Sequence, residues 1–140
     1  MSVFTSAEIE YLRSQRLCRL ATATPDGQPH VVPVMYVYNE AEDTIDIGGH
    51  SFAARKKWRD VGRNPEVALV IDDLLSTEPW HPRMLEIRGS AERLSEGGRE
   101  AIGDHVDPEM FRIRPRRIQT FGINGGAFDM ESRKVWPPAG

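Results

Sequence analysis

Through most of this chain, apolar and polar positions alternate with a period of two, the pattern of strands. Leu17 to Thr24 and Gln28 to Tyr38 flank a Pro25-Asp26-Gly27 turn, so the two stretches form a hairpin. Asn39 to Asp43 is polar and reads as another turn, followed by a short strand from Thr44 to Gly48. Val67 to Asp73 starts as an unbroken apolar run, which predicts a strand buried on both faces. "STEPWHP" then reads as a loop. Met84 to Leu94 alternates, with Leu85, Ile87, Gly89 and Ala91 on one face and Glu86, Arg88, Ser90 and Glu92 on the other. Met110 to Ile123 is the last long strand. Its apolar parity slips between Ile113 and Ile118, which places a bulge around Pro115.

The period changes in two places. Thr5 and Glu8 have capping-box spacing, and Phe4 with Ile9 has the spacing of a hydrophobic staple. A helix to about Gln15 follows, with Ile9 and Leu12 facing inward. From Ser51 to Val61, residues Ala54, Trp58 and Val61 share one helical face, and Gly62-Arg63-Asn64-Pro65 stops the helix. Gly97 to His105 is short helical or irregular structure. About six strands with two or three short helices define a mainly β protein. Its hairpins favour closure into a small barrel, which removes exposed edges. Residues 1–140 read as a single domain, with 125–140 a partly loose tail.

Composition narrows the class. The chain is 39% hydrophobic and 28% charged, the balance of a folded globular domain. A net charge of -3 gives no global attraction to nucleic acid or acidic membranes. No run is long and apolar enough for a membrane span, and the first residues lack a basic-then-apolar leader pattern. Cys18 is the single cysteine, so no internal disulfide forms. The expectation is a cytoplasmic protein.

The strongest chemical signal is "IDIGGHSFAARKKWRD". A strand runs into Gly48-Gly49, and the predicted helix starts at about Ser51. Arg55, Lys56, Lys57, Arg59 and Arg63 crowd into nine positions, with Asp60 the one acid among them. A helix start with free amides, ringed by cations, suits an anion such as phosphate. A solvated basic helix face is the other reading the residues leave open. The second signal is "QPHVVPV". Pro33 cannot donate to a sheet ladder, so it marks an edge, a bulge or a place where something other than a strand lies alongside. A planar ring and a plain edge strand both satisfy it. The third is Arg112, Arg114 and Arg116 on one strand face: a stripe for a polyanionic tail, for a partner, or for acids of the same chain. No aromatic stacking pattern accompanies it, which speaks against RNA. The sequence holds no zinc spacing, Walker loop or dinucleotide fingerprint.

These residues together resemble the pyridoxamine 5'-phosphate oxidase-like, flavin-binding split barrel superfamily. The likeness covers about Glu8 to Ile123. It rests on "RLATATPDGQPHVVPV", on "RKKWRDVGRNPEVALVIDD" and on "RMLEIRGSAERL", in that order. The chain is most similar to short actinobacterial-type members that use the deazaflavin coenzyme F420. The resemblance implies a six-stranded antiparallel split β-barrel of the FMN-binding type. It implies a homodimer with two cofactors in grooves between subunits. It also implies hydride transfer from reduced F420 to a small organic acceptor. An FMN flavoprotein and a non-catalytic flavin- or haem-binding protein of the same fold are the alternatives, and a basic interaction module with an empty groove is a further one.

By the same resemblance, Lys57 takes the cofactor phosphate, with Arg55 and Lys56 beside it. His30, Val31, Val32, Pro33 and Val34 border the tricyclic ring through backbone groups. Gly48, Gly49, His50 and Ser51 approach the ribityl and phosphate portion. Trp80 and Arg83 reach the cofactor across the dimer, and the arginine row meets the acidic tail of the deazaflavin. No catalytic acid, base or metal ligand is implied. "SRKVWPPAG" lacks the Arg-x-His segment with which true pyridoxamine phosphate oxidases grip the vitamer, so oxidation of that vitamer is not expected.

Overall fold

The computed structural model describes residues 1–136. Helix α1 (Ser6–Ser14) starts with the expected capping box. The Thr5 side chain accepts from the Glu8 amide, and Glu8 accepts from the Thr5 amide in return. Eight strands follow: β1 (Leu17–Ala23), β2 (Pro29–Met35), β3 (Val37–Asn39), β4 (Thr44–Gly48), β5 (Glu66–Thr77), β6 (Trp80–Leu94), β7 (Met110–Phe121) and β8 (Met130–Lys134). A 3-10 turn (Phe52–Ala54), helix α2 (Lys56–Arg63) and the one-turn helix α3 (Gly98–Ala101) complete the chain.

All strand pairs are antiparallel, in the order β2-β1-β5-β6-β7-β4-β3, with β8 added beside β7. This order explains the shape. β2 and β3 lie at opposite ends of the sheet, yet only Tyr36 separates them in sequence. One residue spans under 4 Å, so the sheet must curl until its two ends nearly meet. The curled sheet is a half-barrel with a split between β2 and β4. Tyr36 holds the corner: it is buried, and its hydroxyl donates to the Leu12 carbonyl of α1 at 2.6 Å.

The inner face of the curl is the core. Leu20, Ile45, Ile47, Leu69, Ile71, Leu85, Ile87, Phe111, Ile113 and Ile118 are essentially inaccessible to solvent. Phe52, Trp58 and Phe111 pack as an aromatic cluster with ring centroids 4.7–5.8 Å apart, which ties the 3-10 turn and α2 to β7. The β7 bulge falls where the parity slip placed it. Arg88 pairs with Arg117 and Gly89 with Pro115, so Arg116 is the extra residue. Gly89 is needed there, since a methyl group would collide with the Arg114 carbonyl.

Five expectations differ from the structure. The stretch from Gln28 to Tyr38 breaks at the Tyr36 corner into β2 and β3. "STEPWHP" is the tip of a long hairpin, because β5 and β6 keep pairing to Thr77 and Trp80 after an irregularity between Leu74 and Ser76. Strand β5 is buried on one face only: Val67, Leu69 and Ile71 point inward, and Ala68 and Val70 are half-buried on the other side. The expected loose tail contains β8, anchored by Arg133, which donates to the buried Glu8 carboxylate at 2.6 and 2.8 Å. Residues 137–140 of that tail lie outside the described residues. Finally, no continuous helix begins at Ser51. Ser51 is left-handed (φ 51°, ψ 39°) and Arg55 is extended, so the chain makes the 3-10 turn that buries Phe52 before α2 begins at Lys56.

Candidate functional site

Register fixes which side chains face the split. On β1, the inner-face residues Cys18, Leu20 and Thr22 are fully buried. Their cross-strand partners on β2 are Val34, Val32 and His30, which share that face but are only half-buried. The difference marks a groove of about 410 Å³, large enough for a cofactor-sized ligand. β2 forms one wall, and Gly48, Gly49, His50 and Phe52 form the other. Arg55, Lys56 and Lys57 close one end. β2 is an edge strand, so its outward backbone groups are open to a ligand, and Pro29 and Pro33 are its two positions with no amide to offer.

The basic end differs from a solvated helix face. Arg55 is the N-cap of α2 and makes no side-chain capping bond. The first two amides, of Lys56 and Lys57, find no acceptor among the described residues. Free amides at a helix start, with the positive end of the dipole behind them, make an anion site. The Lys56 ammonium is occupied, bonding the Asp60 carboxylate at 3.0 and 3.1 Å. Asp60 is buried, accepts from Thr22 at 3.1 Å, and so ties α2 to β1. Lys57 behaves otherwise. It has no acid partner among the described residues, and its ammonium lies 5.2 Å from the centre of the Phe52 ring. Burial, then the nearby Arg55, hold its pKa below the ordinary lysine value. An incoming anion relieves both effects, so this cation fits a phosphate.

Ten of the fourteen residues singled out from sequence therefore line one groove: His30, Val32, Pro33, Val34, Gly48, Gly49, His50, Arg55, Lys56 and Lys57. Four do not. Val31 points to the outer face and is 64% exposed. Ser51 sits at the exposed corner of the left-handed turn. Trp80 stands exposed at the β5–β6 hairpin tip. Arg83 is committed to a two-point bond with Asp73 at 2.9 and 2.6 Å and stacks over Tyr11. Gly48 also plays a second part: a side chain there would press on Ile102, 2.8 Å away, so its bareness seats the α3 segment as well.

The arginine row is paired within the chain. Arg112 bonds the buried Asp46 at 3.2 and 3.3 Å and approaches Glu42, which also faces Arg114, while Arg116 pairs with Glu66. Exposed positive charge comes instead from Arg55 at the groove and from Arg59 and Arg63 further along α2. The sequence did not single out Met35 and Phe52, which also line the groove. Parity along β2 does not pick out Met35, and Phe52 reads as core. Among the described residues no cluster of His, Cys, Asp or Glu could hold a metal ion, and no helix is long and apolar enough to cross a membrane.

A half-barrel with a cationic groove at its split defines a class of small cofactor-binding β proteins. The family model for pyridoxamine 5'-phosphate oxidase matches residues 4–122, and the chain belongs to that family. It is 45% identical over 122 residues to a 5a,11a-dehydrotetracycline/5a,11a-dehydrooxytetracycline reductase of Streptomyces rimosus, covering 87% of this chain and 85% of that one. Solved structures share the fold at lower identity. A haem-binding protein from Mycobacterium smegmatis superposes with a TM-score of 0.68 at 20% identity, over 94% of this chain and 59% of that one. A conserved hypothetical protein from Mycobacterium tuberculosis gives 0.65 at 24% identity, over 86% of each chain.

Proposed function

We propose that this chain is an oxidoreductase that uses reduced coenzyme F420 to reduce a small, planar, unsaturated organic acceptor. The observation that carries the reading is the uncapped start of α2, with the unpaired Lys57 ammonium beside it, opening into a groove along the edge strand β2. The reductase from Streptomyces rimosus, similar over most of both chains, supports redox chemistry on a polycyclic acceptor. When bound, the reduced deazaflavin supplies a hydride. The chain's own residues bind and align. The amides of Lys56 and Lys57 and the Lys57 ammonium hold the phosphate. Backbone groups of Val32 to Val34 would border the ring, with Val32 and Val34 keeping the β2 wall apolar and Phe52 the wall opposite. Arg55, Arg59 and Arg63 offer charge to an acidic tail. No side chain is assigned as acid or base, since alignment and exclusion of water are what hydride transfer asks of the protein.

FMN is the second reading, favoured by the internal pairing of Arg112, Arg114 and Arg116, which leaves fewer cations for a carboxylate-bearing tail. Side-by-side titration separates the two. The expected result is saturable quenching of F420 fluorescence, with affinity at least about tenfold above that for FMN. Tighter FMN binding, or protein that purifies yellow, would replace F420 with FMN. Binding of neither cofactor would overturn both.

The proposed functional unit is a homodimer. The outer face of β1, β2 and β5 exposes Leu17 and Val31 and leaves Ala68 and Val70 half-covered, an apolar surface suited to a second copy. In that dimer Trp80, on its projecting hairpin, reaches the partner's groove, with Arg83 held behind it by Asp73. Sedimentation equilibrium should give about twice the 15.8 kDa chain mass; a monomer at micromolar concentration would contradict this.

A further inference from the structure

The wall of the groove opposite β2 is held in place from behind by one residue of the β6–β7 connection. The Asp107 amide donates to the Gly49 carbonyl at 3.0 Å. The Phe52 amide donates to the Asp107 Oδ2 at 3.1 Å. The two bonds bracket His50 and Ser51, the corner whose left-handed Ser51 is an uncommon conformation for a residue with a side chain.

The connection that carries Asp107 is itself fastened. The Gly98 amide donates to the Pro108 carbonyl at 2.8 Å, Arg99 donates to the Val106 carbonyl at 3.1 Å, and Val106 is buried. Asp107 therefore grips the turn from a braced position. The grip also consumes the Phe52 amide, the first donor of the 3-10 turn, which is therefore not offered to an anion.

We infer that Asp107 is a positioning residue for the groove: it sets the Gly49–Phe52 turn in the shape that receives the phosphate end of a ligand. This rests on the cofactor reading above. Charge and geometry pull in opposite directions here, which makes the inference testable. As a mere negative charge near an anion site, Asp107 would weaken binding, and its removal would tighten it. As a clamp, its removal loosens the turn and weakens binding.

The experiment measures F420 and FMN affinity for the full chain and for Asp107→Ala and Asp107→Asn, with amide hydrogen exchange read at Gly49–Phe52. Asparagine keeps an oxygen for the Phe52 amide and drops the charge. The expected result is about tenfold weaker binding and faster exchange at Phe52 in Asp107→Ala, both restored in Asp107→Asn. Unchanged or tighter binding in Asp107→Ala, or no rescue by Asp107→Asn in a variant that melts like wild type, overturns the Asp107 assignment alone. Wild-type protein that binds neither cofactor overturns the groove reading and Asp107's role toward a ligand with it.

Discussion

Replacing Lys57 with alanine should weaken cofactor binding by about ten- to a hundredfold while leaving the melting temperature within a few degrees. The range follows from losing one hydrogen bond to a charged group, about 1.5–3 kcal/mol. Stability should barely move, because Lys57 makes no ion pair among the described residues and its ammonium rests over the Phe52 ring, a contact worth about 1 kcal/mol at most at a half-exposed site. Lys56→Ala should show the reverse balance. Its ammonium answers the buried Asp60, so stability falls, while its contribution to the anion site runs through the backbone amide that alanine retains. Calorimetric titration beside thermal melts reads both effects. Equal loss of affinity in the two variants would show that side-chain charge in general, and not Lys57 in particular, holds the ligand.

The largest effect on folding is expected at the other end of the molecule. Arg133→Ala should destabilise the chain by about 3 kcal/mol, the cost of leaving a buried carboxylate without its partner. Glu8 is wholly buried, and Arg133 is the cation it faces. Burial alone would raise the Glu8 pKa. Bonds from Arg133, the Thr5 amide and Asn124 outweigh it, and the net displacement is downward. A carboxyl with a lowered folded-state pKa binds its proton more readily when unfolded. The stability it contributes is therefore full above the unfolded value and is lost as pH falls through the folded value. Without Arg133, burial raises the Glu8 pKa again, so the variant's deficit against wild type should be full near neutral pH and should shrink on acidification, as Glu8 takes up its proton. Urea melts across the acidic range measure this. A variant that unfolds at the same denaturant concentration as wild type at every pH would contradict the lock between α1 and β8.

Much of this architecture was legible in residue pattern. The capping box, the hairpin around Asp26-Gly27, the stop at Asn64-Pro65 and the bulge beside Pro115 each depend on chemistry within a few residues. What escaped depends on distant partners. The Tyr36 corner exists because the sheet curls until its ends meet, which no local period encodes. Strand β8 hides because its inward anchor is Arg133, a charged residue whose partner lies 125 positions away. The start of α2 moved from Ser51 to Lys56 because Phe52 has to reach Phe111 across the fold. The groove was legible because clustered cations and an edge proline are local signals. The internal pairing of the arginine row was not, since Glu42, Asp46 and Glu66 come from other strands or turns.

The most direct test of the central claim is a crystal structure of the protein with F420 or FMN at saturating concentration. The account predicts phosphate oxygens within hydrogen-bond distance of the Lys56 and Lys57 amides, and the ring lying against Val32 to Val34. A ligand ordered anywhere else on the chain, or a groove left without density under those conditions, would contradict it.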